Sequence, residues 1–115
     1  MTPSTLPESI FENLRLELRR GCLTLAVLSQ LRVERYGYTL RKALEAAGLD
    51  IDEGTLYPLL RRLETQGLLQ SRWGEENKRR KRFYKLLPAG EDVYEKLTVE
   101  MARINASLDR IVAEA

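Results

Sequence analysis

The chain has 115 residues, with 19 basic and 17 acidic side chains, no histidine and one cysteine, for a net charge of +2. That length supports one domain rather than two cores of ordinary size, and 43% hydrophobic with 31% charged residues describes a globular chain, not a disordered one. Without histidine, the commonest general base and metal ligand is missing, and a lone cysteine excludes an internal disulfide and a Cys-rich zinc site.

Met1–Pro7 reads as a flexible tail. It lacks the basic stretch and apolar core of a signal peptide, and no apolar run approaches the roughly 20 residues a membrane helix needs. Neither a glycine-rich phosphate loop nor a nucleophile elbow occurs, so no enzymatic activity and no cofactor are expected. With a single reduced thiol, these features point to the cytoplasm.

From Glu8, the residues Ile10, Phe11, Leu14 and Leu18 recur at helical spacing, and Cys22, Leu25, Leu28 and Leu31 continue the stripe. One long helix over Glu8–Leu31 is expected. Leu23, Ala26 and Val27 widen its second half, which should be buried on two faces, with Cys22 a small buried side chain. Gly21 is a weak point or a place of close backbone approach. Arg32–Arg35 breaks the pattern. A short helix over Tyr38–Ala47 follows Tyr36 and Gly37, with Leu40, Ala43, Leu44 and Ala47 inward and Gly48 in the left-handed capping position. Asp52 suits the N-cap of a third helix, accepting from the amides of Gly54 and Thr55. Leu56, Leu59, Leu60 and Leu63 make its buried stripe, and Gly67 ends it. Pro58 conflicts with this helix, because it removes one hydrogen bond and crowds the carbonyl of Gly54.

Two strand-like runs, Leu68–Trp73 and Arg82–Leu87, flank the polar segment Gly74–Lys81, which reads as a hairpin with a long tip. Pro88 suits the first turn of a last helix reaching Ala113. Its apolar residues Tyr94, Leu97, Met101, Ile104, Leu108 and Ile111 step by 3, 4, 3, 4 and 3, a heptad seam. About 25 residues at about 1.5 Å each make a helix of roughly 37 Å. The rest of the domain cannot cover that length, so part of the seam requires a second chain. Charge is uneven: residues 67–90 carry seven basic and two acidic side chains, and residues 91–115 carry three basic and six acidic.

A mainly α chain with one small β-hairpin, in the order helix, helix, helix, strand, strand, helix, spells a winged helix-turn-helix plus one long C-terminal helix. In that fold the third helix enters the major groove of double-stranded DNA, and the hairpin touches the flanking backbone. Beside or opposite the leucine stripe stand Thr55, Tyr57, Pro58, Arg61 and Arg62. Arginine can reach guanine edges or phosphate, and hydroxyls donate to phosphate. Tyr57 fits equally well as a core aromatic with its hydroxyl at the rim. Lys78, Arg79, Arg80, Lys81 and Arg82 form an unbroken basic run. A solvated tip is the plainer reading of such a run, but its place beside the third helix points to phosphate contact.

Several longer runs carry a resemblance. They are Leu18-Arg19-Arg20-Gly21, Tyr36-Gly37-Tyr38, Gly54-Thr55-Leu56-Tyr57-Pro58-Leu59-Leu60-Arg61-Arg62-Leu63-Glu64, Gly67-Leu68-Leu69, and Arg82-Phe83-Tyr84-Lys85-Leu86 with Ala89-Gly90. In these runs, from about Leu18 to Leu97, the chain resembles the PadR family of bacterial transcriptional regulators. That family carries a proline within its recognition helix, which accommodates Pro58. The resemblance implies a homodimeric repressor acting on a pseudo-palindromic operator, with half-sites about one turn, roughly 34 Å, or a multiple apart. It implies a winged helix-turn-helix domain over residues 8–87 and a dimerisation helix over 88–115. The chain resembles the short form of the family, and that resemblance implies dimerisation through the last and N-terminal helices. Leu14, Leu18, Leu97, Met101, Ile104, Leu108 and Ile111 then form the interface.

Phe11, Trp73 and Tyr94 are candidates for a dimer-interface pocket holding a flat aromatic effector, as in some relatives. Plain packing is the simpler reading, since no polar group converges with them. The chain departs from the family pattern at Tyr36, usually histidine, at Asp52-Glu53, often Ser-Pro, and at Leu87, usually threonine, which weakens the cap of the last helix. Two carboxylates beside the groove-entering end repel phosphate. With the modest net charge they support a rival: a winged-helix protein-interaction module that does not read DNA.

Overall fold

The computed structural model describes residues 7–114. Of the expected tail over residues 1–7, only Pro7 falls among them. The chain forms α1 (Glu8–Gln30), β1 (Arg35–Tyr36), α2 (Gly37–Ala46), α3 (Glu53–Thr65), β2 (Leu69–Glu76), β3 (Arg79–Leu86) and α4 (Pro88–Ala113). The strands make one antiparallel sheet in the order β1-β3-β2. The first three helices pack around Val27, Leu28, Leu31, Leu40, Leu44, Leu56, Leu60 and Leu63, and Leu69, Tyr84 and Leu86 close the core from the sheet. Burying one leucine contributes about 1.5–3 kcal/mol. Leu56, Leu59, Leu60 and Leu63 are all buried on α3, which outweighs the roughly 3 kcal/mol that Pro58 costs inside that helix.

α1 divides into two halves. Leu23, Val27 and Leu28 are buried, while Ile10, Phe11, Leu14 and Leu18 stay exposed. Cys22, expected to be buried, is half-buried instead, with its Sγ 3.9 Å from the Leu18 carbonyl oxygen. The helix presents Leu23 and Val27 to the core, which turns Cys22 to the side. α2 begins at Gly37, one residue earlier than the apolar pattern implies. The Tyr36 amide donates to Thr39 Oγ1 at 3.2 Å, and the Thr39 hydroxyl donates back to the Tyr36 carbonyl at 2.9 Å. Gly48 has a φ of +87°, as its capping place requires.

The segment after α1 is not a bare break. Arg35 and Tyr36 form the short edge strand β1, opposite Tyr84 and Phe83. Two residues carry no period, so no pattern announces such a strand. The hairpin also differs from expectation. β2 and β3 run on to Glu76 and Arg79, and the tip is only Asn77 and Lys78, not the segment Gly74–Lys81. The outer pairs Glu75↔Arg80 and Glu76↔Arg79 are charged on both faces, so alternation of apolar and polar residues stops before the strands do.

Asn77 and Lys78 have φ of 52° and 62°, the left-handed pair of a type I′ turn, whose twist matches the flanking strands. Asparagine tolerates this region; for lysine it costs roughly 1–2 kcal/mol. Glycine there removes the strain, less the extra freedom of an unfolded glycine. Lys78→Gly is therefore expected to raise the thermal midpoint by about 2–4 °C in a circular-dichroism melt. A lower midpoint would contradict the strained turn.

α4 starts where Pro88 places it, at the first helical position, and has no side-chain cap at Leu87. Beyond Tyr94 its seam emerges from the domain: Leu97, Ile104, Leu108 and Ile111 are exposed and Met101 is half-buried. Among the described residues, no helix is long and apolar enough to cross a membrane.

Candidate nucleic-acid interface

The inward leucines of α3 fix which side chains face out. Thr55, Tyr57, Pro58, Arg61 and Arg62 are all exposed, as the helical spacing implies. They do not form a single row. Tyr57 leans toward α2, and its ring lies against Gly37, where any Cβ would strike the phenol. Its 38% exposure makes it a rim residue, with its ring packed and its edge in water. Thr55 and Arg62 lie on the flank facing α1, where they share a groove with Arg20. Thr55 does not have a free hydroxyl: it donates to Asp52 Oδ1 at 2.7 Å.

Four of the five basic residues of the run, Arg79 to Arg82, lie in β3, so they divide by side. Register with β2 places Arg80 and Arg82 on the face that carries Trp73, Tyr84 and Leu86, toward the core and α3. Arg79 and Lys81 lie on the opposite face with Phe83, and Lys78 sits at the tip. The Arg80 guanidinium lies 4.7 Å from the Trp73 ring centre, and Lys81 Nζ lies 5.4 Å from that of Tyr36. Arg82 holds a structural position. It donates to Ser71 Oγ at 3.0 Å and pairs with Glu64 at 3.4 Å, and Ser71 donates to the same carboxylate. This triad braces the wing against the end of α3. From sequence, Glu64 and Glu53 could equally be surface partners of Arg61 and Arg62. The structure gives Glu64 to Arg82 and Ser71, and Glu53 to Arg41; a bond between separate elements leaves no local signal.

An open cleft of about 370 Å³ lies between the two parts, lined by Tyr36, Tyr38, Tyr57, Arg80, Lys81 and Arg82 among others. It opens beside the outward face of α3, with basic and hydroxyl groups and the Glu53 carboxylate on its walls. Residues 24–96 match the PadR-like family of transcriptional regulators. The chain belongs to that family.

Other comparisons agree. This PadR-family chain is 37% identical, over 75 residues, to a transcriptional regulator of Mycobacterium tuberculosis, covering 64% of this chain and 70% of that one. Its structure resembles that of a PadR-family regulator from Eggerthella lenta, with a TM-score of 0.83 and 38% identity over 91% of this chain and 94% of that one. A PadR-like transcription factor from Bacteroides fragilis follows with a TM-score of 0.71 and 31% identity, over 86% and 98% of the two chains. The winged-helix architecture and the regulator class are thus those of the family.

Asp52 and Glu53 stand at the N-terminal end of α3. Their carboxylates do not point bare into the space before α3. Glu53 pairs with Arg41 at 3.0 Å. The bond from the Thr55 hydroxyl holds the Asp52 carboxyl below its ordinary range. The expected amide cap is replaced: the amides of Thr55 and Leu56 donate to the Asp52 carbonyl instead. Nearby, Asp50 pairs with Arg19 at 3.5 Å. The three carboxylates at this end of α3 therefore all have internal partners, which reduces their repulsion of an approaching phosphate.

The three aromatic residues considered for an effector pocket stand apart within one chain. Trp73 is 54% exposed on the wing between Arg80 and Arg82. Tyr94 lies under the Arg32 guanidinium at 4.9 Å, and Phe11 projects from the first half of α1.

Proposed function

We propose that this PadR-family protein is a sequence-specific repressor that binds a pseudo-palindromic operator as a homodimer. Each protomer presents the face of α3 from Thr55 to Arg62 to a major groove and lays the wing, Lys78 to Arg82, along the neighbouring backbone. The division of labour follows the chain: residues 8–87 read DNA and residues 88–115 join two copies. Neither part performs catalysis. Occupancy of the operator excludes the transcription machinery, and a bound ligand relieves it by changing the dimer angle and so the spacing of the two recognition helices.

One observation supports this most. The solvent face of α3 carries unpaired arginines, the wing beside it is basic, and the nearby carboxylates are engaged internally. A protein-interaction module needs no such separation of charge. The test is binding of a fragment of the protein's own promoter at rising salt. Affinity is expected to fall steeply, with a slope of roughly −0.9 for each phosphate contacted. Absence of binding at low salt sinks the repressor reading and leaves the interaction module in its place.

A further inference from the structure

On the side of α3 away from the wing, α1 and α3 enclose a groove of about 460 Å³. Its floor is apolar, made by Leu23, Pro58 and Leu59. Its rims are cationic, with Arg20 from α1 on one side and Arg62 from α3 on the other. Arg20 also borders the adjoining cavity beside Asp52 and Thr55, so it stands at the N-terminal end of α3. Both arginines are exposed. Four acidic side chains around the groove already have partners: Glu12 holds Arg15, Asp50 holds Arg19, Glu53 holds Arg41, and Asp52 holds the Thr55 hydroxyl. Glu17, one turn before Arg20 on α1, forms no ion pair with it. Among the described residues, Arg20 and Arg62 have no such counter-charge.

We propose that this groove seats a sugar–phosphate strand of the DNA, and that Arg20 binds a backbone phosphate together with Arg62. The proposal rests on the DNA reading above and extends it to α1. A guanidinium matches the fork of two phosphate oxygens and is less strongly hydrated than an ammonium, so it suits this contact. The apolar floor accommodates the faces of deoxyribose. The groove is continuous with the outward face of α3, which favours nucleic acid over an acidic peptide. A recognition helix held by the wing on one side and by Arg20 on the other has its register in the major groove fixed from both flanks.

The test is anisotropy of a labelled promoter fragment, measured against salt for the full chain, Arg20→Ala, Arg20→Lys and Arg103→Ala. The last removes a charge from α4, outside the groove. Arg20→Ala should weaken binding to promoter and unrelated duplex by a similar factor, about three- to tenfold, and flatten the salt slope by about 0.9 per protomer. Arg20→Lys should keep the slope, and Arg103→Ala should match the unmodified chain. Arg20 has no partner to lose, so thermal midpoints should stay level and a folding defect is distinguishable. Unchanged affinity and slope in Arg20→Ala would overturn the α1 contact while the DNA reading stands. Failure of the unmodified chain to bind any duplex at low salt would remove the DNA reading and this contact with it.

Discussion

Alanine at Lys78, Arg79 and Arg80 together is expected to lower affinity for operator and unrelated DNA by a similar, large factor. None of the three forms an ion pair among the described residues, and all are exposed. Their charge is therefore available to phosphate and not committed to the fold. If each neutralises one phosphate, the salt slope should flatten by up to roughly 2.7 per protomer, at about 0.9 per contact. Backbone contacts position without reading bases, so the preference for operator over random sequence should persist. The turn makes the three unequal. Lys78 leads at the tip, Arg79 looks away from α3, and Arg80 lies against Trp73 and follows the indole. Arg82 belongs to a different experiment: removing it breaks the bonds to Glu64 and Ser71 and loosens the wing itself. Anisotropy titration at several salt concentrations measures the effect. Affinity equal to that of the unmodified protein would reject a phosphate role for the wing.

The parts of this fold that repeat along the chain were legible in it. The leucine spacing of α3 named its buried face, and the outward residues followed by elimination. α4 began and ended where Pro88 and its heptad implied, because a long helix has many chances to declare its period. What failed to declare itself was short or charged. β1 has two residues, too few for any alternation. The outer wing strands pair arginine with glutamate on both faces, so they look like a loop to any reading based on hydrophobicity.

The site was legible as composition but not as pairing. The basic run and the exposed arginines of α3 could be named from position. That Arg82 braces Glu64, that Thr55 is tied to Asp52, and that Arg41 neutralises Glu53 are contacts between elements, and one sequence holds no record of them. These contacts change the argument most at Asp52 and Glu53. As isolated letters they oppose DNA binding; with their partners attached they help order the start of α3. Arg20 is the converse case: it was read as part of a family motif, and only the packing of α1 on α3 sets it opposite Arg62.

A carboxylate at Ile104 is expected to convert the proposed dimer to monomers and to take operator affinity with it. One chain alone is more extended than a compact domain of its length. Its radius of gyration is 17.2 Å, against about 13 Å for a compact domain of this length. Its accessible surface of 8467 Å² exceeds by roughly 2,000 Å² what a folded monomer of this mass exposes. Much of that surface is apolar and lies on two helices, with Leu14 at 59% and Leu18 at 75% exposed on α1, and Ile104 and Leu108 at 45% on α4. Covering a stripe of this kind is what a stable interface does, and about 2,000 Å² from each of two chains, about 4,000 Å² together, falls in the range of roughly 2,000–5,000 Å² that obligate homodimers bury in total. Ile104 stands mid-seam, so Ile104→Asp buries an unpaired charge there, at a cost of several kcal/mol. In the separate chain the same side chain is exposed, so the monomer should keep its helical signal. Sedimentation velocity should then give a dimer for the unmodified protein and for Ile104→Leu, and a monomer for Ile104→Asp. Two linked recognition helices gain about 10²–10⁴ in avidity over one, so operator binding should fall by a comparable factor. A persistent dimer would show that the seam lies elsewhere. A monomer with undiminished operator affinity would keep the seam but reject two-fold recognition, because a single half-site would then be doing all the binding.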